Sequence, residues 1–318
     1  MDLSDGAIGR LKGIGGRPEF TTDRYIIVEE VGRGGMGAVY LAIDRELNRE
    51  VAIKVPHHGA SSALERQLRI EARVLARLEH PGIVPIHDVG RLTDERLFYV
   101  MKRVRGQTLR EHLADVPEPG ERLRVFERIC EPVAFAHAHG CIHRDLKPEN
   151  IMIGAFGEVL VMDWGVARVE DADDAVENQP VVVGTRGFMS PEQARADADV
   201  DHRSDVYSLG AILYLLLTGD EPGRRGEPAV AIHRHRNVPR PLRSICARAV
   251  AGAPAGRYAS VSALAADVAR YRLGAAVEAH KEGLAERTLR VARTYRAAIL
   301  LVVAYLVMRV FVAYTFGQ

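Results

Sequence analysis

The chain has 318 residues, 47% of them hydrophobic and 27% charged, which suits one large or two ordinary globular domains. This composition argues against long disorder and against a small disulfide-rich scaffold. Lys and Arg total 43 against 42 for Asp and Glu. Because there is no excess of positive charge, the composition does not predict a nucleic-acid partner. The three cysteines include no Cys-x-x-Cys pair, which fits a reducing compartment and predicts no zinc site.

The first third of the chain is predicted to be rich in strands. Residues 1–24 have no apolar run, which predicts no signal peptide, and their glycines predict a flexible segment. Residues 25–55 contain three apolar runs typical of strands, and residues 61–79 have the spacing of an amphipathic helix. Two more strands are predicted at Ile83–Val89 and Arg96–Val104.

The chain after Gly106 is predicted to be mainly helical. Apolar periodicity there predicts five helices, at Thr108–Ala114, Gly120–His139, Arg203–Leu217, Pro241–Val250 and Val261–Leu273. Because a run of strands is followed by a run of helices, the sequence predicts an α+β protein of two lobes.

The end of the chain is its most apolar part. From Ala297 to Tyr314 only Arg309 is charged, and a helix of this length reaches about 27 Å, close to the thickness of a bilayer core. Arginines precede it, so the sequence predicts a basic juxtamembrane helix at 273–296 and one transmembrane helix at 297–316. The excess of arginine places the body on the cytoplasmic side of the inner membrane. A C-terminal helix buried in the globular core is the alternative.

A glycine-rich motif lies at the first predicted hairpin and reads Gly32-Arg33-Gly34-Gly35-Met36-Gly37. It is followed by a strand rather than by a helix, which argues against a dinucleotide-binding fold. Glycines at a hairpin tip allow backbone N–H groups to approach phosphate oxygens, so the motif predicts a lid over a nucleotide. An ordinary glycine-rich hairpin is the alternative.

A lysine and a glutamate are candidates for an ion pair beside those phosphates. Lys54 ends the motif Val51-Ala52-Ile53-Lys54 on the third predicted strand, and Glu71 lies seventeen residues later in the predicted helix. A glutamate in this place holds the ammonium group toward the phosphates. Read singly, the two are an exposed strand lysine and a solvated helix glutamate.

Three further motifs follow in chain order, namely His143-Arg144-Asp145-Leu146-Lys147-Pro148-Glu149-Asn150, Asp163-Trp164-Gly165 and Ser190-Pro191-Glu192. With these motifs, residues 25–272 resemble the eukaryotic-type protein kinases, and most closely their bacterial Ser/Thr group. The resemblance implies a bilobal protein-kinase-like fold, with a β-rich N-lobe at 25–104 and an α-helical C-lobe at 105–272.

The resemblance also implies the catalytic roles. Asp145 would be the base that takes the proton of the acceptor hydroxyl, and Lys147 would neutralise the γ-phosphoryl group. Lys54 would hold the α- and β-phosphates of ATP, with Glu71 as its partner. Asn150 and Asp163 would be the Mg²⁺ ligands, because a hard cation prefers oxygen donors. The nucleotide-binding residues implied are Gly32, Arg33, Gly34, Gly35, Met36, Gly37, Val39, Ala52, Lys54, Met101, Lys102, Val104 and Met152.

Supporting residues are implied in the same way. The motif from His143 to Asn150 would form the catalytic loop, which Asp205 would brace and Thr185 would contact. Arg257 would pair with Glu192. Trp164 replaces the usual phenylalanine and would fill the slot beside His143.

The stretch from Gly165 to Gly184 contains no Ser, Thr or Tyr, although Arg144 is of a type often bound by a phosphorylated loop residue. One hypothesis is that acidic residues of this stretch pair with Arg144, and a solvated acidic loop is the alternative.

The function implied is a membrane-anchored Ser/Thr protein kinase that uses ATP and Mg²⁺ to phosphorylate protein hydroxyls. The alternative function is a membrane-tethered pseudokinase that acts as a nucleotide-binding scaffold. Expected partners are ATP, protein substrates and the membrane, with no nucleic acid. A homodimer formed through the terminal helix is also left open.

Overall fold

The N-lobe is built on one antiparallel sheet. The structure is a computed structural model that describes residues 18–34, 37–59, 61–115, 118–165, 167–169, 185–197, 200–224, 226–294 and 296–316. Five strands form the sheet in the order β1-β2-β3-β5-β4, with bounds β1 Tyr25–Gly34, β2 Gly37–Asp44, β3 Arg49–Val55, β4 Ile86–Arg91 and β5 Leu97–Lys102. All neighbouring strands are antiparallel, and Lys54 on β3 lies opposite Val39 on β2 and Tyr99 on β5.

Helix α1, Ser62–Arg77, packs against this sheet. The Ser61 side chain caps its N-terminus by accepting a hydrogen bond from the Leu64 N–H. The face that includes Leu68 and Leu75 is buried, and Glu71 lies on that same face with 1% of its surface exposed. A carboxylate buried among apolar side chains requires a charged partner, and Lys54 is the candidate.

The other face of the sheet has its own apolar cluster. Phe20 covers it, with ring centroids 5.0 Å from Phe98 and 5.7 Å from Tyr25. The Glu19 carbonyl also accepts a hydrogen bond from the Thr93 N–H. The sequence places residues 18–24 in a flexible segment, but the aromatic contacts of Phe20 hold this part against the sheet, so the ordered chain begins before residue 25.

The C-lobe is mainly helical, as predicted. Its short strands are β6 Gly106–Thr108, β7 Cys141–Ile142, β8 Ile151–Gly154, β9 Val159–Val161 and β10 Arg168–Val169. Its helices are α2 Leu109–Asp115, α3 Pro119–Ala138, α4 Pro191–Ala194, α5 Arg203–Thr218, α6 Pro228–Ala231, α7 Arg240–Ala249 and α8 Val261–Arg272, followed by α9 Leu284–Thr294 and α10 Arg296–Phe316. Strands β6, β8 and β9 form one small sheet, and β7 pairs with β10.

Helix α5 is the centre of the C-lobe. Its residues from Ser204 to Leu216 are all buried, because the segment is mostly apolar and is packed by α3, α7 and α8. Gly210 permits the close approach of α7, since a Cβ there would lie 2.7 Å from the Ala249 Cβ. This packing fixes the first turn of α5, which carries Asp205, directly below the catalytic loop.

The predicted helix over 273–296 is wrong in its first part. Helix α8 ends at Arg272, Gly274 follows with φ +71°, and α9 begins only at Leu284. Between them the chain runs without helix along the C-lobe, and Val277 is buried there. The left-handed glycine ends the helix and redirects the chain, which explains the difference.

The predicted terminal helix is present as α10, and its side chains from Ile299 to Met308 are exposed where the structure describes them. Within the described residues, however, no helix combines the length and the apolarity that crossing a bilayer requires. The prediction that residues 297–316 span a membrane is therefore not supported by the structure, and neither is burial of this helix in the core.

Candidate active site

Lys54 links the two lobes. Its Nζ donates to both carboxylate oxygens of Glu71 at 2.8 Å and to Asp163 Oδ1 at 2.9 Å. Burial alone lowers the pKa of Lys54, but the charges of Glu71 and Asp163 raise it above its usual value. The predicted pair between β3 and α1 is thus present, and the ammonium group stays charged between two carboxylates.

A second buried group holds Glu71 in place. The hydroxyl of Tyr99, on β5, donates to Glu71 Oε1 at 2.9 Å. Burial raises the pKa of both Tyr99 and Glu71, so the hydroxyl keeps its proton and remains a donor. The motifs gave no signal for Tyr99, because it lies inside an apolar strand where a tyrosine is read as core.

The turn Asp163-Trp164-Gly165 carries a candidate metal ligand. Asp163 has φ +57°, a left-handed backbone conformation that costs about 1–3 kcal/mol for a residue other than glycine. Burial alone would raise the pKa of Asp163, but the charge of Lys54 lowers it below its usual value, so the carboxylate stays ionised. Trp164 is fully buried with its ring 4.5 Å from that of His143, so it fills the slot predicted for it.

The catalytic loop brings the predicted base and lysine together. Lys147 Nζ donates to Asp145 Oδ2 at 2.7 Å and to the Thr185 hydroxyl at 2.9 Å. The Thr185 hydroxyl donates in turn to Asp145 Oδ1 at 3.3 Å, which confirms its predicted contact with this loop. Asn150 Nδ2 donates to the Asp145 carbonyl at 2.9 Å. Because the amide nitrogen of Asn150 is engaged in this way, its oxygen is the atom suited to a metal ion.

Asp205 braces this loop from below, as predicted. Its carboxylate accepts the His143 N–H at 2.8 Å and the Arg144 N–H at 2.9 Å, and Arg144 is held at φ +67°. His137, on α3, lies 2.7 Å from Asp205 Oδ2 through its Nε2. Burial alone would raise the pKa of Asp205, but His137 and the His143 N–H lower it. The sequence gave no sign of this role for His137, since a single histidine on a helix has no defining spacing.

Helix α4 is fixed by a buried ion pair. Both Arg257 terminal nitrogens donate to Glu192, at 2.6 and 2.7 Å, which confirms the predicted pair. The neighbouring Gln193 donates from Nε2 to the Arg144 carbonyl at 2.6 Å. Glu192 therefore ties α4 to the loop between α7 and α8, and Gln193 ties it to the catalytic loop. Gln193 was not predicted.

The residues implied for nucleotide binding lie on strands of both lobes or next to them. Ala52 lies opposite Met101 in the sheet, Val39 lies opposite Lys54, and Met152 is on β8 in the C-lobe. The Lys102 N–H donates to the Pro85 carbonyl at 3.1 Å, so this donor is already used within the protein. Val104 follows β5 and is half-buried.

The glycine motif leaves room for phosphates. A Cβ at Gly32 or Gly34 would have no heavy atom within 4 Å, whereas a Cβ at Gly37 would lie 2.1 Å from the Val55 carbonyl oxygen. Gly37 is therefore required by the hairpin itself, and the space beside Gly32 and Gly34 is open. Arg33 pairs with Glu30 at 2.7 Å. Gly35 and Met36 lie outside the described residues, as do the acidic residues between 170 and 177.

The arrangement fits ATP with Mg²⁺. It combines open glycine positions, a charged lysine and two oxygen donors of the kind that Mg²⁺ prefers, Asn150 and Asp163. Residues 25–251 match the protein kinase domain family. The chain belongs to the protein kinase family. Members of this family transfer the γ-phosphoryl group of ATP, with Mg²⁺ neutralising the developing charge.

Bacterial proteins are among the curated relatives of this kinase. It is 38% identical over 284 residues to serine/threonine-protein kinase PknB of Mycobacterium tuberculosis, an alignment that covers 83% of this chain and 45% of the relative. It is 37% identical over 283 residues to PknB of Mycobacterium leprae, with the same coverage of 83% and 45%. Against serine/threonine-protein kinase PknD of Chlamydia caviae the identity is 33% over 293 residues, covering 79% of this chain and 31% of the relative. The kinase thus spans less than half the length of these relatives.

Proposed function

We propose that this chain is an active Ser/Thr protein kinase that transfers the γ-phosphoryl group of ATP to serine or threonine hydroxyls of proteins. The observation that supports it best is the contact of Lys54 with both Glu71 and Asp163, at 2.8 and 2.9 Å. This contact joins the sheet, helix α1 and the turn Asp163-Trp164-Gly165, the metal turn, in one arrangement. A scaffold that only binds nucleotide does not need all of these contacts of Lys54.

The residues divide the work of the transfer. Lys54 would hold the α- and β-phosphates, and Asn150 and Asp163 would hold Mg²⁺, which supplies positive charge beside the phosphates. Asp145 would orient the acceptor hydroxyl and take its proton, while Lys147, 2.7 Å from Asp145, would balance charge on the γ-phosphoryl group. Positioning and charge neutralisation account for most of the catalysis in such a reaction.

The serine/threonine preference is supported by Lys147 and Thr185. The ammonium group of Lys147 contacts both Asp145 and Thr185, so a lysine held at two points narrows the space beside the base.

The test is transfer of labelled γ-phosphate from ATP to a generic basic protein, followed by acid hydrolysis. Label in phosphoserine or phosphothreonine is the expected result. Binding of Mg²⁺-ATP by wild type without any transfer would favour the pseudokinase.

We also propose that the kinase associates with a membrane through residues 297–316, with its body on the cytoplasmic face. The apolar side chains of α10 support this, since Leu300 and Leu301 are 67% and 73% exposed. The arginines before it would favour an anionic surface, and Arg287 is exposed. A homodimer formed through the same helix stays a prediction, which light scattering of the full chain in detergent would check.

Membrane association is tested by flotation of the full chain with vesicles of zwitterionic and anionic lipid. Leu301→Asp replaces an exposed apolar side chain of the helix by a charge and should lower the bound fraction at least tenfold, because Asp in hydrocarbon costs up to roughly 3 kcal/mol. Leu47→Asp is the matched control, since Leu47 is also exposed but lies between β2 and β3. Equal flotation of wild type and Leu301→Asp would contradict the proposal.

A further inference from the structure

Gln67 connects helix α1 to the metal turn. Its Nε2 donates to the Gly165 carbonyl oxygen over 2.6 Å, joining residues 98 positions apart in sequence. Gln67 lies one helical turn before Glu71, so the two side chains share one face of α1. Helix α1 therefore contacts the site at two points, through Glu71 to Lys54 and through Gln67 to Gly165.

The bond acts on a turn whose geometry is unusual. Asp163, two residues before Gly165, has a left-handed backbone with φ +57°. Such a conformation persists only where surrounding contacts hold it. Lys54 holds the Asp163 carboxylate from one side at 2.9 Å, and Gln67 holds the backbone of the same turn from the other.

Phosphorylation of the stretch from Gly165 to Gly184 cannot set this arrangement. The stretch has no Ser, Thr or Tyr, so no hydroxyl in it can be phosphorylated. The first hydroxyl after it belongs to Thr185, which contacts Lys147 and Asp145. Contacts such as that of Gln67 are therefore candidates for the same role.

We propose that Gln67 is a positioning residue, a hydrogen-bond latch between α1 and the metal turn that sets the catalytic arrangement without phosphorylation between Gly165 and Gly184. This inference rests on the proposed function for its meaning in catalysis. The latch itself affects the order of the metal turn in the free kinase and the affinity for a Mg²⁺-nucleotide complex. Both properties can be measured without turnover.

The chain contains its own reporter of this turn. It has one tryptophan, Trp164, which precedes Gly165. The Trp164 side chain is fully buried, and its ring lies 4.5 Å from that of His143. Tryptophan fluorescence of the full chain therefore reports this turn alone, and quenching by acrylamide measures how often the ring is exposed.

The experiment compares donors and non-donors at position 67 in the full chain. Gln67→Met keeps the size but removes the donor, Gln67→Glu keeps the shape but offers only acceptors, and Gln67→Lys restores a donor. Arg66→Met is the matched control, because Arg66 is an exposed neighbour on α1. The readouts are acrylamide quenching of Trp164, affinity for a Mg²⁺-nucleotide complex, and KM for ATP against kcat.

Loss of one hydrogen bond should weaken nucleotide affinity roughly threefold to tenfold in the Met and Glu variants, with stronger quenching of Trp164. Gln67→Lys and Arg66→Met should bind the nucleotide within about twofold of the wild-type affinity, because neither loses this hydrogen bond.

Wild-type behaviour of Gln67→Met and Gln67→Glu would overturn the latch. A Lys variant as impaired as Met would overturn it also, because the defect would then lie in packing. If wild type transfers no phosphate, the proposed function fails, while quenching and affinity still decide the latch.

Discussion

Single polar residues set the geometry of this site, and Asp205 is the clearest example. It is completely buried and accepts two backbone N–H groups of the catalytic loop, and His137 lies beside the same carboxylate. The loop conformation at Arg144, with φ +67°, depends on these bonds. The carboxylate of Asp205, which is fixed on the buried helix α5, thus holds the catalytic loop in position.

Asp205→Asn should lower the free energy of unfolding by about 3 kcal/mol at neutral pH, because a neutral amide oxygen makes weaker hydrogen bonds than the buried carboxylate. The pKa of Asp205 is lower in the folded state than in the unfolded chain. Its contribution is therefore fully present above about pH 4 and is lost as pH falls through the folded pKa. Denaturant unfolding at several pH values checks this.

The control for that series is Asp23→Asn, because Asp23 is exposed. The difference between wild type and Asp205→Asn should shrink below pH 4, while Asp23→Asn should follow wild type throughout. A difference that stays constant or grows with acidity would show that the Asp205 charge does not stabilise the fold.

Residues that belong to a motif are predictable from the sequence. The motifs pair Lys54 with Glu71, and Glu192 with Arg257, because these contacts accompany fixed patterns of residues, and both pairs are present in the fold. The sequence does not indicate the roles of four other polar residues, namely Tyr99, His137, Gln193 and Gln67. None of the four belongs to a motif named above, and the partner of each is a side chain or carbonyl brought near only by the tertiary fold.

At the level of elements, the buried carboxylate of Asp267 is an anchor for the chain after α8. Asp267 accepts the Glu278 N–H at 2.6 Å and the Ala279 N–H at 3.0 Å, and the Tyr258 hydroxyl donates to it at 2.7 Å. Residues 275–283 have a composition suited to a helix, which is why the sequence predicted one. Gly274 and Asp267 override that propensity through a turn and a tertiary anchor.

Asp267→Asn should release this segment, because the amide can no longer accept on both oxygens. Hydrogen exchange at the Glu278 and Ala279 amides should accelerate roughly tenfold to a hundredfold, as expected for local opening that loses one or two hydrogen bonds. The amides of α5 in the same sample serve as the control. Unchanged exchange at both positions would show that other contacts hold the segment.

At the level of the whole molecule, a polar contact joins the two lobes across the cleft. Lys54 belongs to the sheet and Asp163 to the C-lobe, and they meet at 2.9 Å. Mg²⁺-ATP bound there would touch both lobes and stabilise them as one unit. The bilobal α+β architecture was predicted from the order of strands and helices, and the path of the C-terminal segment was not.

Ligand binding should therefore raise thermal stability in a metal-dependent way. At a concentration of 100 Kd, Mg²⁺-ATP should add about 2.7 kcal/mol to the free energy of unfolding. Chelation of Mg²⁺ should remove most of this gain, and Asp163→Asn should remove the same part without chelation. Thermal unfolding with ATP, with and without Mg²⁺, measures both. An equal gain without Mg²⁺ would contradict the assignment of Asp163 as a metal ligand.

The central claim is that Asp145 lies in a complete and active phosphotransfer site. The most direct test measures ATP affinity and phosphate transfer in parallel for wild type and Asp145→Asn. The expected result is ATP affinity within about twofold and a transfer rate roughly 10²–10⁴ lower in the variant, the usual contribution of a general base. Wild type that binds Mg²⁺-ATP but transfers phosphate no faster than Asp145→Asn would contradict the account.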